Sequence, residues 1–372
     1  MNQITVNDLV EKIERFAPPY LAEDWDPIGL SFGSKDKLVK KVMLALDVDA
    51  TTIQEAKENH VDLIFTHHPA VFKAPKLLNS DDTRRQDYIE LIKSDIAVYS
   101  AHTNIDAAEN GMSDWLADAL SFPENRSIVS TIREEFYKKI AVYVPVEAAE
   151  KLRTAMHEAG AGEVGQYNDV SYDMLGVGHF TPSDGAHPDR GEVGESETVE
   201  ELRIEMLFPE SIRDRVIQSI LTNHPYEEPV YDLYTIENQK KAYGFGRIAP
   251  VETTTEEMIT QLKETFNLSH LRYAGQTSSR IHKKVAIFGG SGENYYKEAL
   301  AQGATLFITG DVSYHGAQDM LRDGMDVIDP GHFIESIFVP KMKEQLNQWK
   351  NLHQWDLEIL EARLQKDVFK FS

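Results

Sequence analysis

Thr66-His67-His68-Pro69 places two imidazoles side by side at the end of a short apolar run, in a chain that holds no cysteine. Adjacent residues of an extended segment point in opposite directions, and Pro69 biases His68 toward extended geometry. Two imidazoles splayed in this way suit two neighbouring ions better than one; the plain alternative is a pair of surface histidines in a loop. Two further apolar runs end in the same residue types. One leads into Ala101-His102-Thr103-Asn104-Ile105-Asp106 and the other into Asp329-Pro330-Gly331-His332-Phe333-Ile334-Glu335. Each delivers a His and a carboxylate, and a helix starting near Gly331 would set His332 and Glu335 on one face. Without thiolates, a transition metal here must be held by nitrogen and oxygen, a donor set that suits Zn(II), Fe(II) or Mn(II). Histidines flanking a bridging carboxylate are the common construction of a two-metal hydrolytic centre.

The elements that must position these groups follow from apolar runs alternating with helical patterns. Residues 42–46, 63–66 and 96–100 read as strands and 50–59 and 84–93 as helices, after a capped amphipathic helix that begins at Thr5 or Asn7 and is stopped by Pro18-Pro19. That order predicts an α/β domain with a mainly parallel sheet, whose strand ends form the ligand-bearing edge. A second block repeats the theme. When residues 41–68 are laid without gaps on 284–311, Lys41, Val42, Glu55, Ala56, Leu63 and Thr66 fall on Lys284, Val285, Glu298, Ala299, Leu306 and Thr309. We therefore expect two similar α/β halves, 1–130 and 241–372, related by a pseudo-twofold. Between them, 131–240 reads as strand, helix, strand, strand, helix, strand, the order of an inserted ferredoxin-like α+β domain. The Gly- and acid-rich stretch 182–196 reads as a loop, and 349–364 as one closing helix whose apolar side chains Trp349, Leu352, Trp355, Ile359 and Leu360 pack between subunits or on their own domain.

Composition narrows the function classes. The 372 residues are 41% hydrophobic and 27% charged, enough for a sizeable core, and 38 basic against 61 acidic residues give a formal charge of −23. A chain so acidic, with no basic cluster, is not expected to bind nucleic acid. No run approaches the roughly 18 apolar residues of a membrane span, and the first residues lack a basic flank and an apolar signal core, so a cytoplasmic protein with no membrane partner is expected.

Weaker features carry two readings each. Gly289-Gly290-Ser291-Gly292 could present backbone N–H groups to a phosphate or simply turn tightly from strand to helix. The segment Thr309 to His315 lies where the repeat puts His67 and His68, which makes Asp311 and His315 candidates as substrate contacts, as supports for the ligands or in a structural role. Residues 22–30, with Glu23, Trp25 and Asp26, line a pocket or form a turn around a buried Trp. His224-Pro225-Tyr226-Glu227-Glu228-Pro229 offers a His and two acids, but its prolines favour a rigid connection.

Taken together, Thr66-His67-His68-Pro69, His102-Thr103-Asn104-Ile105-Asp106, Gly289-Gly290-Ser291-Gly292, Thr309-Gly310-Asp311 and Gly331-His332-Phe333-Ile334-Glu335 resemble the motifs of the Nif-three-like family of dinuclear metal proteins, whose members carry the label GTP cyclohydrolase 1 type 2 homologue. The resemblance covers 1 to about 130 and 241–372, and the segment around His224 is similar to the marker of the insert in longer bacterial members. It implies His67, His68, Asp106, His332 and Glu335 as ligands of two divalent ions per subunit, Zn or Fe first and Mn next, in a toroidal homohexamer. The label implies attack on a nucleotide-like heterocycle, with His102 and His315 as proton carriers. The competing class is a non-catalytic metal-binding or regulatory hexamer. Calcineurin-like phosphatases are disfavoured, since their Asp-x-His and Gly-Asn-His signatures are absent.

Overall fold

The computed structural model describes residues 2–165 and 167–370, which divide into two compact units, 1–133 with 243–372 and 134–242. Among the described residues no helix is long and apolar enough to cross a membrane.

The larger unit is a mixed α/β structure with two principal sheets. In the first, Glu358–Glu361, Lys41–Ala45, Leu63–Thr66 and Ala97–Ser100 run parallel in that order, and Gly29–Phe32 closes the edge antiparallel. The reason its strands read as unbroken apolar runs is that both faces are covered. Val42, Leu44, Leu63, Phe65 and Tyr99 enter one buried cluster, while Met43, Ala45, Ile64 and Val98 enter another on the opposite face. Helix Val6–Phe16 packs Leu9, Val10 and Ile13 into the first cluster, and its start is fixed by a reciprocal capping box between Thr5 and Asp8.

The second sheet of this unit has Val285–Ile287, Leu306–Ile308 and Asp326–Asp329 parallel, with Arg272–Ala274 antiparallel on one side and the end of Tyr231–Ala249 on the other. Both sheets thus contain a parallel trio whose connections are helical, Ala50–Glu58 and Thr83–Lys93 in the first and Tyr296–Ala301 and Tyr314–Arg322 in the second.

The smaller unit holds Glu197–Pro209, Tyr172–Phe180 and the greater part of Tyr231–Ala249 and Ser127–Pro145, in the spatial order Tyr231–Ala249, Ser127–Pro145, Glu197–Pro209, Tyr172–Phe180, which is 4-1-3-2 in chain order. Helices Ala149–Glu158 and Arg213–Asn223 bury Leu152, Met156, Val216 and Ile220 against Ile140, Val142, Ile204 and Met206.

One expectation fails outright. Residues 349–364 are not one helix: the helix is Phe338–His353, Gln354 takes a left-handed conformation at φ 54°, and the chain returns as strand Glu358–Glu361. A left-handed C-cap ends a helix regardless of the apolar spacing beyond it. The side chains expected on a subunit surface mostly pack within the chain. Trp355 is buried, Trp349 and Ile359 lean on the main core and Leu360 on the second cluster, leaving Leu352 exposed.

Candidate metal centre

The three strand ends meet. Strand Leu63–Thr66 hands the chain directly to His67 and His68, and Ala97–Ser100 leads through Ala101 to His102 and the short helix Thr103–Ala107 that carries Asp106. From the second sheet, Asp326–Asp329 leads to a 3-10 turn, His332–Ile337, which brings His332 and Glu335 to the same point. That turn is the tighter relative of the helix expected there, and it satisfies the same three-residue spacing.

Glu335 is the hub. Its Oε2 lies 3.0 Å from His332 Nε2, 3.1 Å from His68 Nε2 and 3.7 Å from His67 Nε2, while His67 Nε2 lies 3.6 Å from Asp106 Oδ1. His68 and His332 set their Nε2 atoms 3.2 Å apart. Ligand atoms of His68, His332 and Glu335, of His67, Asp106 and Glu335, and of His67, His68 and His102 each lie within 4.8 Å of one another. Glu335 belongs to two of these groups and Asp106 to one, so the carboxylate placed to be shared is Glu335.

The far side of every ring is pinned. His67 Nδ1 lies 3.0 Å from the Ala101 carbonyl, His68 Nδ1 2.7 Å from Asp47 Oδ1, His102 Nδ1 3.0 Å from Asp26 Oδ1 and His332 Nδ1 2.6 Å from Asp311 Oδ2. Carbonyl and carboxylate oxygens only accept, so each Nδ1–H donates and each Nε2 is turned inward. This is how metal-binding imidazoles are oriented. Asp26 is tied in turn by the Thr103 backbone N–H at 2.9 Å and by the Thr103 hydroxyl.

The electrostatics are unbalanced toward anions. Asp26, Asp47, Asp106, Asp311 and Glu335 surround the four imidazoles, and among the described residues their ion pairs are with these histidines and not with Lys or Arg. Burial opposes a charge on His68, but Asp47 and Glu335 outweigh it and push its pKa up to about 10. Glu335 itself, with Asp311, raises His332 to about 9 against the opposing effect of burial. Burial and the nearby Glu335 carboxylate push Asp106 above the carboxylate range, whereas Glu335, although buried, is held below it by His332, His67 and His68. The same excess of carboxylates that favours protons here favours any cation small enough to enter.

Whether the donor set fits a metal can be tested on atoms that lack any other partner. His67 Nε2 and Asp106 Oδ1 are buried and have no hydrogen bond, and they face each other across the cluster. Buried polar atoms are ordinarily satisfied, so a lone pair on each aimed into one space fits a cation between them. Glycine makes the approach possible. A Cβ on Gly290, where φ is +52°, would sit 2.7 Å from Glu335 Oε1, and one on Gly289 3.0 Å from the same atom. Thr309 ties this loop, its Oγ1 accepting from Gly292 N at 2.8 Å and donating to the Gly290 carbonyl at 3.1 Å. The glycine loop is therefore a tight turn against Glu335.

Of the residues singled out from the sequence, His67, His68, His102, Asp106, His332 and Glu335 come together. His315 does not: it is exposed at the start of helix Tyr314–Arg322, its Nδ1 3.3 Å from Gln318 Oε1. His224 is a structural residue, with Nε2 donating to the Tyr143 carbonyl at 2.8 Å and Nδ1 accepting from Tyr226 N at 3.0 Å. Asp47 was missed, although it follows strand Lys41–Ala45 in the position that marked the other strand ends.

Comparison with known proteins places the chain in a family. The family model described as Duf34/NIF3 (NGG1p interacting factor 3) matches residues 4–368. A Bacillus subtilis protein named GTP cyclohydrolase 1 type 2 homolog is 38% identical over 365 residues, covering 98% of this chain and 97% of that one. Its Listeria innocua counterpart is 37% identical over 362 residues, 96% of each chain. Among solved structures, a Bacillus cereus protein related to NIF3 superposes with a TM-score of 0.89 at 34% identity over 100% of both chains. A Staphylococcus aureus protein does so at 0.74 and 28%, again over 100% of both. With the family model spanning nearly the whole sequence and relatives above 30% identity from end to end, the chain belongs to the Duf34/NIF3 family.

Proposed function

We propose that this protein is a metal-dependent hydrolase whose cluster binds two divalent ions, Zn(II) or Fe(II) first and Mn(II) next, and acts on a nucleotide-like heterocycle. The observation that carries the reading is the pair of partnerless buried atoms, His67 Nε2 and Asp106 Oδ1, inside a group of inward-turned Nε2 atoms. His67, His68, Asp106, His332 and Glu335 would hold the ions, with Glu335 common to both. Binding would displace the protons that the cluster holds, and the five carboxylates around the deprotonated imidazoles would then leave a negative site, of which two divalent ions would offset about +4. Bound ions of this kind supply Lewis acidity, polarising an electrophile and making water acidic enough to act near neutral pH.

The chain's own residues do the rest. Ala101, Asp47 and Asp311 hold the rings of His67, His68 and His332 in the tautomer that keeps Nε2 free. His102 faces the same space but, backed by Asp26 as a charge partner, is suited to taking a proton at Nε2 and returning it. The relatives' name supports a purine ring as the group attacked. His315 has no part in this scheme.

The wider architecture is read the same way. The parallel trio in each sheet supports two related halves, 1–130 and 241–372, across a pseudo-twofold, and the 4-1-3-2 strand order supports a ferredoxin-like insert between them. We read the assembly as a cytoplasmic homohexamer; the exposed Tyr172, Leu175 and Val177 on the insert's edge strand give it apolar surface to use.

Elemental analysis of protein purified without added metal tests the centre, with about two ions per chain expected. Metal-loaded protein is then screened against nucleotides and phosphoesters beside Asp106→Asn and His102→Asn. Turnover that vanishes in Asp106→Asn, and in His102→Asn despite retained metal, supports the hydrolase. Metal without such turnover makes it a binding protein, and less than one ion per chain removes the metal reading.

A further inference from the structure

The cluster has a second wall that metal binding does not use. A cavity of about 230 Å³ opens against His102, Asp106 and Glu335, and Glu23, Trp25, Phe288 and Tyr295 also line it. Phe288 and Tyr295 are stacked at 4.6 Å with their planes 13° apart, a flat surface that exists because Gly292 has no side chain; a Cβ there would lie 2.5 Å from the Phe288 ring. Trp25 stands edge-on to His102 at 6.1 Å and is 58% exposed. An indole left this open beside a buried polar cluster is surface waiting to be covered.

Glu23 is held in place but not used. Its backbone N–H donates to Thr103 Oγ1 at 3.0 Å, which joins it to the Asp26–His102 pair. Its carboxylate, by contrast, has no hydrogen-bond or ion-pair partner among the described residues, although it lies close enough to Tyr295 to add to the effect of burial in raising that phenol's pKa. A half-buried carboxylate without a donor, facing aromatic walls, is an acceptor that lacks its ligand. No Lys or Arg lines the cavity.

We propose that this cavity is the substrate subsite of the centre, and that it takes an uncharged planar heterocycle whose N–H edge donates to Glu23 while the ring lies against Trp25 and the Phe288–Tyr295 pair. The inference rests on the metal-dependent reading above and narrows it. A carboxylate accepts two parallel N–H bonds, so a ring with adjacent donors is favoured. Stacking on aromatic faces serves any base, but the acceptor at the edge selects among them. A polyphosphate tail would meet Glu23, Asp106 and Glu335 and no basic side chain of the lining, so phosphates add nothing to recognition by the protein.

Metal-loaded protein is titrated with guanosine, 1-methylguanosine and GTP by calorimetry and by Trp fluorescence, with Trp25→Ala to assign the optical signal and metal content measured on every sample. Guanosine should bind, and GTP should bind no tighter. Methylating the ring nitrogen and changing Glu23→Gln should each weaken binding about tenfold, and together little more than either alone, because both delete one contact. Glu23→Gln should keep the wild-type metal content. Absence of guanosine binding, GTP binding at least tenfold tighter, or unchanged affinity in Glu23→Gln would overturn the inference while leaving the metal centre standing. Loss of metal from Glu23→Gln would overturn it too, by making Glu23 part of the metal shell. A wild-type chain that holds no metal would instead remove the reading beneath it.

Discussion

Replacing Asp47 by Asn isolates the orienting shell from the ligands. Asp47 Oδ1 lies 2.7 Å from His68 Nδ1, and its side chain is 53% exposed, so the substitution leaves neither a void nor a buried unpaired group. Asn keeps the size and a carbonyl acceptor but removes the charge that strengthens the bond and the basicity of the ring. Loss of such a partner costs a metal site roughly 10- to 100-fold in affinity, about 1.4 to 2.7 kcal/mol. The loss should fall on the ion held by His68 and His332. His67, pinned by the Ala101 carbonyl at 3.0 Å, does not touch Asp47, so the ion it shares with Asp106 should keep its affinity within about threefold. The assay is a chelator competition on stripped and reloaded protein, which resolves two binding steps, with a thermal melt as the control for folding. Both steps unchanged within about twofold would refute the orienting role of Asp47, and an equal fall in both would refute the separation into two ion positions.

Three further outcomes are expected. Gly290→Ala changes no ligand, yet its Cβ would meet Glu335 Oε1 at 2.7 Å in a residue with φ +52°, so metal content should drop by at least half in a folded protein; full occupancy by elemental analysis would contradict the close approach. Joining Arg133 to Tyr243 through a short Gly/Ser linker removes a unit with its own buried cluster and none of the cluster's ligands, and should leave a folded chain that binds metal; an insoluble or metal-free product would place the insert in the core. His224 and His282 have pKa values lowered by burial, so below about pH 6.5 the unfolded chain takes up protons that the folded one refuses, and stability falls with pH by up to about 1.4 kcal/mol per unit for each. Urea melts at pH 7 and 5.5 should show a shallower fall for His224→Gln than for wild type, and equal falls would count against a neutral buried His224.

The cluster residues were legible because they are local. His67, His68, His102, Asp106, His332 and Glu335 each follow an apolar strand within a few residues, so the rule that strand ends carry function found them without any knowledge of which strands pair. Their supports were not. Asp47 is recognisable only once strands Lys41–Ala45 and Leu63–Thr66 are known to be neighbours, and Asp26 and Asp311 could be noticed but not assigned to His102 and His332. His315 drew attention only because it closes the segment that the repeat lays on His67 and His68, and its helix carries it outward to solvent. The final segment misled for another reason. Trp349, Leu352, Trp355 and Ile359 have helical spacing, but Ile359 and Leu360 feed two different buried clusters, which only a strand covered on both faces can do.

That last strand also sets an order of events in the life of the chain. Glu358–Glu361 pairs with Lys41–Ala45, so the sheet bearing His67 and His68 gains its edge from residues made long after its other strands, and Glu335 is made only shortly before that edge. The insert, a compact unit with its own buried cluster, is free to fold while the chain is still growing. The first half must wait with a parallel sheet incomplete, and pairings this distant in sequence are slow. The cluster is therefore completed late, and a growing chain that carries His67, His68 and Asp106 before His332 and Glu335 are made holds only part of the donor set.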